Sequence, residues 1–267
     1  MENTFLFDLL TDKVLLLAIS TLRLAVALLV VPIFSDEIIP PLIRNSLFIS
    51  IAIVVVYLQP DFDLNTLTVT DWLSIVAKEL FIGLVLGFFF GLFLWAFEAA
   101  GTIIDTQIGA SMAMVYDPIS GHEITLFGEF LGRWANFLFI AAGGLLFLSV
   151  AILKSYAIWP AFEPIPNLQQ ATLDFFRFEF SRFIKLILMI ASPVIIVVFM
   201  VDLCMGIINR FAKRMDIIFI SLALKGLAAL LLLIILVPTM VDILMTQLDL
   251  HRNGLDDFAR RIIGGNP

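Results

Sequence analysis

The side chains that could do chemistry in this sequence are charged residues set inside long apolar segments. Arg23 and Lys225 lie well inside apolar runs, and Glu129 and Arg133 stand four residues apart on another. A charge at the centre of a bilayer costs at least about 2.5–3.5 kcal/mol on insertion scales, so such residues need polar partners. We therefore predict that these four are buried polar groups. Charges nearer the ends of their segments are expected to extend to the polar boundary instead: Lys78, Lys185 and Asp242.

Catalytic motifs are not found in the sequence. The single cysteine, Cys204, excludes an intramolecular disulfide framework and a Cys-rich zinc site, and His122 and His251 lie far apart. There is no HExxH, P-loop or nucleophile elbow. An intramembrane aspartyl protease would need a pair such as Asp105 and Asp202, and nothing around them supports it. We expect no enzymatic activity, no metal and no cofactor.

The elements that must position these charges are apolar helices. Of the 267 residues, 61% are hydrophobic and only 15% are charged, against roughly 25% charged in ordinary soluble domains. The mean hydropathy of +1.06 and the net charge of −7 exclude disorder and argue against a nucleic-acid partner. The composition predicts an all-α, polytopic membrane-type protein with one domain over 1–267.

About six long apolar helices are predicted from the hydrophobic runs, each near the roughly 20 residues that cross a bilayer. The runs are 14–34, 42–58, 72–97, 127–153, 181–208 and 217–245. Two longer polar stretches, 98–126 and 154–180, separate them. With six spans, basic residues fall on both sides of the membrane, against the usual excess on the cytoplasmic side. Either one segment does not span, or the protein is not a standard bilayer bundle.

Glycines at intervals of four predict close helix packing. Gly83, Gly87 and Gly91 fall near one helix face, and Gly128 and Gly132 repeat the spacing. Small residues at this spacing let helix backbones approach closely. The faces serve either generic packing or contact with a partner subunit.

The stretch 98–126 is expected to be irregular or re-entrant, between the third and fourth apolar helices. Gly101, Gly109 and Gly121 punctuate it, and Asp117-Pro118 favours a turn. A surface loop, an interfacial helix and a re-entrant segment that lines a cavity all fit this pattern. Irregular backbone at membrane depth is tolerated only in the last setting, where methionine side chains would form a deformable seal.

Several motifs stand in a specific order along the chain: Gly101-x-x-x-Asp105-x-Gln107-x-Gly109, Asp117-Pro118-x-x-Gly121, Gly143-Gly144, Ser155-Tyr156, Ala191-Ser192-Pro193 and Asn209-Arg210-Phe211-Ala212. In this order the sequence resembles the T subunit of the type III secretion export apparatus (SctT) and its flagellar counterpart (FliR), over roughly 14–245. Lys213-Arg214 departs from the family, which tends to have proline and glutamine there. The Asp105/Gln107 pair and Gly143-Gly144 resemble the virulence injectisome branch more than the flagellar one.

The resemblance implies a core subunit of a protein-conducting channel in the bacterial inner membrane, with its core raised toward the periplasm. It implies assembly with sister subunits (SctR-like and SctS-like), with the switch subunit (SctU-like), and contact with unfolded secretion substrates and membrane lipid. It also implies that residues 107–121 plug the closed pore. The residues carried over to this plug are Gln107, Gly109, Ser111, Met112, Met114, Asp117, Pro118 and Gly121. A secondary transporter or channel subunit for a small solute remains the alternative, although transporters usually carry internal repeats and none is visible here.

Overall fold

A computed structural model describes residues 2–35, 38–58, 68–109, 125–162, 170–211 and 217–263, and within them the side chains of 13–35, 38–57, 68–109, 125–162, 176–211 and 218–250. All regular elements in these ranges are helical, which confirms the all-α prediction. They are α1 (Glu2–Val30), a short 3₁₀ helix (Pro32–Phe34), α2 (Pro41–Leu58), α3 (Val69–Ile108), α4 (Leu126–Ala141), α5 (Gly144–Ile158), α6 (Gln170–Phe211) and α7 (Ile217–Ile263).

Local sequence signals set several helix ends. Thr68 and Asp71 form a reciprocal cap at the start of α3. The Asp71 N–H donates to Thr68 Oγ1 at 3.4 Å, and the Thr68 N–H and Oγ1 donate to Asp71 Oδ2 at 2.9 and 2.6 Å. The same helix ends at Gly109, whose φ of 88° is the left-handed conformation typical of a helix C-terminus. Gly143 adopts φ 77° and separates α4 from α5.

The lengths of the helices partly correct the sequence prediction. Four single helices within the described ranges are long and apolar enough to cross a membrane, α4 and α5 together form a bent fifth candidate, and α2 is shorter. The fourth apolar run, predicted as one helix over 127–153, is thus broken at Gly143. The region 98–108, predicted to be irregular, is helical and continues α3. Its glycine does not end the helix, because Gly101 packs against the backbone at Phe127.

The described chain divides into two compact units, so the one-domain prediction stays a prediction. The first contains α1, α2, α3 up to Gly91, α5 and the turn that follows it. Its core is built from Leu24, Leu28, Phe34 and Phe90, all almost fully buried. The second contains α3 from Leu92, α4, and most of α6 and α7. There Phe93 packs on Phe139, with ring centroids 5.5 Å apart.

Gly83 and Gly87 bring α3 against α1 inside the first unit. A Cβ placed on Gly83 would lie 2.6 Å from the Arg23 carbonyl oxygen, and one on Gly87 would lie 2.5 Å from that of Ala27. These separations are too short for any side chain, so the two glycines serve packing within the chain. At Gly83 and Gly87 the helix face that the glycines leave flat contacts α1 of the same chain.

We expect Gly87→Leu to destabilise the protein, because the new side chain would overlap the α1 backbone. Overpacking typically costs about 1–3 kcal/mol, which corresponds to a thermal midpoint lower by roughly 2–12 °C in detergent. The matched control is Gly226→Ala, since no atom lies within 4 Å of a Cβ at that position. An equal midpoint for Gly87→Leu and the wild-type chain would contradict the packing assignment.

Candidate functional site

The junction between the end of α3 and the start of α4 lies at the predicted plug and holds a buried carboxylate. Asp105, on the last turns of α3, accepts hydrogen bonds at Oδ2 from the backbone N–H groups of Phe127 and Gly128, at 2.9 and 3.0 Å. These N–H groups belong to the first turn of α4 and have no partner within their own helix. Asp105 therefore caps α4 from another helix, while Thr125, at the local cap position, makes no side-chain capping bond.

Two glycines make this junction close enough for the cap to reach. A Cβ on Gly101 would overlap the carbonyl of Phe127, and one on Gly128 would overlap the Oγ1 atoms of Thr102 and Thr125. Thr102 Oγ1 and Thr125 Oγ1 lie 3.5 Å apart across the same contact. Gly101 and Asp105 stand one helical turn apart on one face, so the first presents a flat surface and the second supplies the cap.

Only the first end of the predicted plug, residues 107–109, falls within the described part of the chain. Gln107 lies half-buried in the last turn of α3, and Gly109 ends that helix. A Cβ on Gly109 would also lie 2.9 Å from a methyl group of Leu222 on α7. The other predicted plug residues lie outside the described residues: Ser111, Met112, Met114, Asp117, Pro118 and Gly121.

Glu129 and Arg133 pair with each other but are not buried in this chain, which corrects the prediction. Arg133 donates to Glu129 along α4, and the two side chains are 65% and 42% exposed, respectively. Each side chain of this i,i+4 pair neutralises the charge of the other, so neither needs a partner in the interior of the chain. The pair lines a groove of about 480 Å³ between α4 and α7 whose other walls are apolar. These walls include Phe130, Trp134, Leu230, Ile234 and Val237. A Cβ placed on Gly132 of the same helix would lie 3.3 Å from Glu98 Cβ on α3.

Arg23 is fully buried in the first unit and forms a two-point ion pair with Glu79. Its Nε and one terminal nitrogen donate to the two Glu79 carboxylate oxygens at 2.8 and 2.7 Å. The guanidinium also donates to Ser155 Oγ and to the Trp159 carbonyl, at 3.0 and 2.8 Å. It lies over the Tyr156 ring, 3.8 Å from the centroid, and this stacking adds to the stabilisation of a desolvated cation.

Lys78 also belongs to this cluster, and the prediction that it extends to a polar boundary is wrong. Its Nζ donates to the carbonyls of Pro160 and Ala161, at 2.8 and 2.6 Å, and lies 3.3 Å from Glu79 Oε1. Two cations therefore share one carboxylate, and carbonyl oxygens of the turn after α5 take the remaining donors. The negative end of the α5 helix dipole at this turn favours the excess positive charge.

Lys225 has a partner on the neighbouring helix in the second unit. Its ammonium lies 3.0 Å from Asp202 Oδ1, which also accepts a hydrogen bond from Ser221 Oγ at 3.3 Å. Asp202 therefore forms an ion pair that joins α6 to α7. No contact among the described residues joins its carboxylate to that of Asp105, the other acid of the aspartyl pair considered above. Within the described ranges, groups of three or more His, Cys, Asp or Glu side chains that could hold a metal are absent.

Sequence reasoning missed the partners in these clusters. Glu79 is an acid in an apolar run, which is the kind of residue that neutralises a buried arginine, but the spacing does not show which arginine. Ser155 and Tyr156 belong to a motif, but a hydroxyl or a phenol is common at any helix end and does not indicate a contact with Arg23. Asp105 also belongs to a motif, but its capping role depends on a helix that begins 21 residues later, at Leu126.

Comparison with known proteins gives one family for nearly the whole chain. The family described as "Bacterial export proteins, family 1" matches residues 14–250. The Yop proteins translocation protein T of Yersinia pestis is 29% identical over 80% of this chain and 82% of its own length. The surface presentation of antigens protein SpaR of Shigella sonnei is 30% identical over 80% and 81%. The flagellar biosynthetic protein FliR of Bacillus subtilis is 23% identical over 80% and 83%. Of these relatives, the injectisome proteins are more similar to the chain than the flagellar one.

We expect Glu79→Gln to cost about 3–5 kcal/mol of stability, because it leaves two buried cations without an anion. The result should be a large loss of folded protein in detergent, measured as monodisperse yield and thermal midpoint. Glu129→Gln is the matched control, since removing half of an exposed pair costs about 0–1 kcal/mol. A double change to methionine at Arg23 and Glu79 should recover part of the loss, because no unpaired charge from that pair remains. Equal midpoints for Glu79→Gln and Glu129→Gln would contradict this account of the cluster.

Proposed function

Because this chain belongs to family 1 of the bacterial export proteins, we propose that it is a non-enzymatic core subunit of a type III secretion export gate in the bacterial inner membrane. The observation that carries the proposal is the family match across residues 14–250, which includes every long apolar helix almost completely. One relative is named as a translocation protein, and the greater similarity to it and to SpaR than to the flagellar relative supports the injectisome branch.

The surface of the second unit supports a role inside an assembly. On α6 and α7 most large apolar side chains are exposed, and only 17% of the apolar part of α7 is buried within the chain. A soluble monomer rarely exposes an apolar face of this extent. We propose that SctR-like and SctS-like sister subunits and membrane lipid cover these faces and the groove beside Trp134, and that the SctU-like switch subunit joins the same assembly.

The plug proposed for the segment after α3 rests on the resemblance to the export-apparatus T subunits. Gly109 ends α3, and α4 begins at Leu126, so residues 110–124 connect two helix ends that Asp105 holds together. We propose that residues 107–121 plug the resting pore, with the apolar Met112 and Met114 as an adaptable seal. Unfolded secretion substrates would then pass through the pore after this segment has moved out of it.

Purification of the chain with its sisters separates this proposal from a transporter of a small solute. The tagged chain, co-expressed with the sister subunits of the same organism, should elute from size exclusion in detergent as one stable complex. A strain without the gene should fail to secrete a type III reporter substrate, and the cloned gene should restore secretion. Normal secretion in the deletion strain, with a chain that is stable alone and binds a solute, would contradict the proposal.

We expect replacement of residues 110–121 by a short Gly-Ser linker to make the assembled complex leak small ions. The change starts after Gly109 because the residues before it belong to α3 and would disturb the helix. Conductance of the purified complex in planar bilayers should rise well above that of the complete complex. The matched control changes Met112 and Met114 to leucine, which keeps apolar volume at nearly the same shape and should leave the conductance at background. Background conductance from a correctly assembled linker complex would contradict the plug.

A further inference from the structure

Asp105 links two helices that the chain itself separates by a long segment. We infer that Asp105 is a positioning residue that joins α3 and α4 into one rigid junction, and that this junction stays closed while the complex exports protein. The inference rests on the proposed export function. It identifies one part of the subunit, the α3–α4 junction, that does not open during export.

The first support is the replacement of a local cap by a distant one. Thr125 occupies the position from which a threonine normally caps a helix, yet its side chain makes no such bond. The Asp105 carboxylate takes both free N–H groups instead, across 22 and 23 positions of sequence. A carboxylate is a stronger partner than a hydroxyl here, because its charge also interacts favourably with the positive end of the α4 dipole.

The second support is the cost of separating the two helices. Asp105 is 1% exposed, and its other oxygen, Oδ1, has no hydrogen-bond partner among the described side chains and backbone groups. Moving α4 away would leave the whole carboxylate without its two donors in an apolar setting, which is unfavourable. It would also open the tight backbone contact at Gly101 and Gly128 that no side chain can fill.

The junction thus anchors both ends of the segment between the helices. Gly109 follows Asp105 by one helical turn, and Thr125 directly precedes the capped turn of α4. Both helix ends belong to the same fixed contact, so export takes place without separation of α3 from α4.

A disulfide across the junction tests whether it stays closed. The Oγ1 atoms of Thr102 and Thr125 lie 3.5 Å apart, so cysteines at these positions can be joined with small side-chain rotations. The variant T102C/T125C is made with Cys204→Ser, which leaves the engineered pair as the only thiols in the chain. After oxidation, secretion of the reporter should stay at the level of the reduced variant. A block of secretion on oxidation that a reductant reverses would overturn the inference.

The role of Asp105 is read from the rate at which the same disulfide forms in the assembled complex. Asp105→Leu removes the oxygen that accepts both hydrogen bonds and should slow cross-linking about tenfold, the effect of losing a charged hydrogen-bond partner. Asp105→Asn keeps one acceptor oxygen and should cross-link within about twofold of the parent. Where Asp105→Leu does not accumulate, Asp105→Ser tests the same point, because its hydroxyl is too short to reach both N–H groups. Equal cross-linking rates for the parent and for the leucine or serine variant would overturn the positioning role.

Two measurements distinguish the failure of the export function from the failure of the closed junction. If the chain were not an export subunit, the strain without the gene would secrete normally, whatever the disulfide does. If the chain exports protein but the junction opens, secretion would depend on the gene and would stop only when the disulfide is oxidised.

Discussion

The desolvated ion pair between Arg23 and Glu79 is the interaction on which the first unit depends. An apolar helix can carry a charge only if other helices satisfy it, and here α1, α3 and the turn after α5 all contribute. Close approach comes first, because Gly83 and Gly87 remove the side chains that would hold α1 and α3 apart. Apolar surfaces allow many relative positions of the helices, and the polar contacts are satisfied in only one of them. Apolar area holds this unit together, and the charges fix its register.

The α3–α4 junction applies the same principle with different chemistry. A glycine on each helix allows backbone contact, and one buried acid one turn away satisfies the groups exposed at a helix end. In both places a small residue and a charged residue on the same helix face work as a pair. This explains why the third helix continues through the motif that contains Gly101 and Asp105, although its polar residues resemble a loop.

The sequence was sufficient for the helical class, the approximate helix positions and the need for polar partners, because hydrophobic runs and isolated charges are local properties. It was insufficient where a distant contact decides the outcome. The end of α3 was predicted too early, since Asp105 is satisfied by α4, and Thr102 and Thr106 donate to carbonyls of their own helix. Lys78 was expected at a boundary, but its acceptor carbonyls lie 82 and 83 positions away. Glu129 and Arg133 are a different case: they were expected to be buried, but each has its partner one turn along the same helix, in a local contact. The plug residues after Gly109 stay a prediction.

The separation of Arg23 and Glu79 by 56 positions has a consequence for biosynthesis. α1 leaves the ribosome while Glu79, the carboxylate partner of Arg23 among the described residues, is still unmade, and an isolated arginine is costly in the lipid interior. This cost is removed only when α3 has been made, and the cluster is complete only after the turn behind α5. The order of translation therefore leaves the first helix with an unpaired charge until the third helix follows.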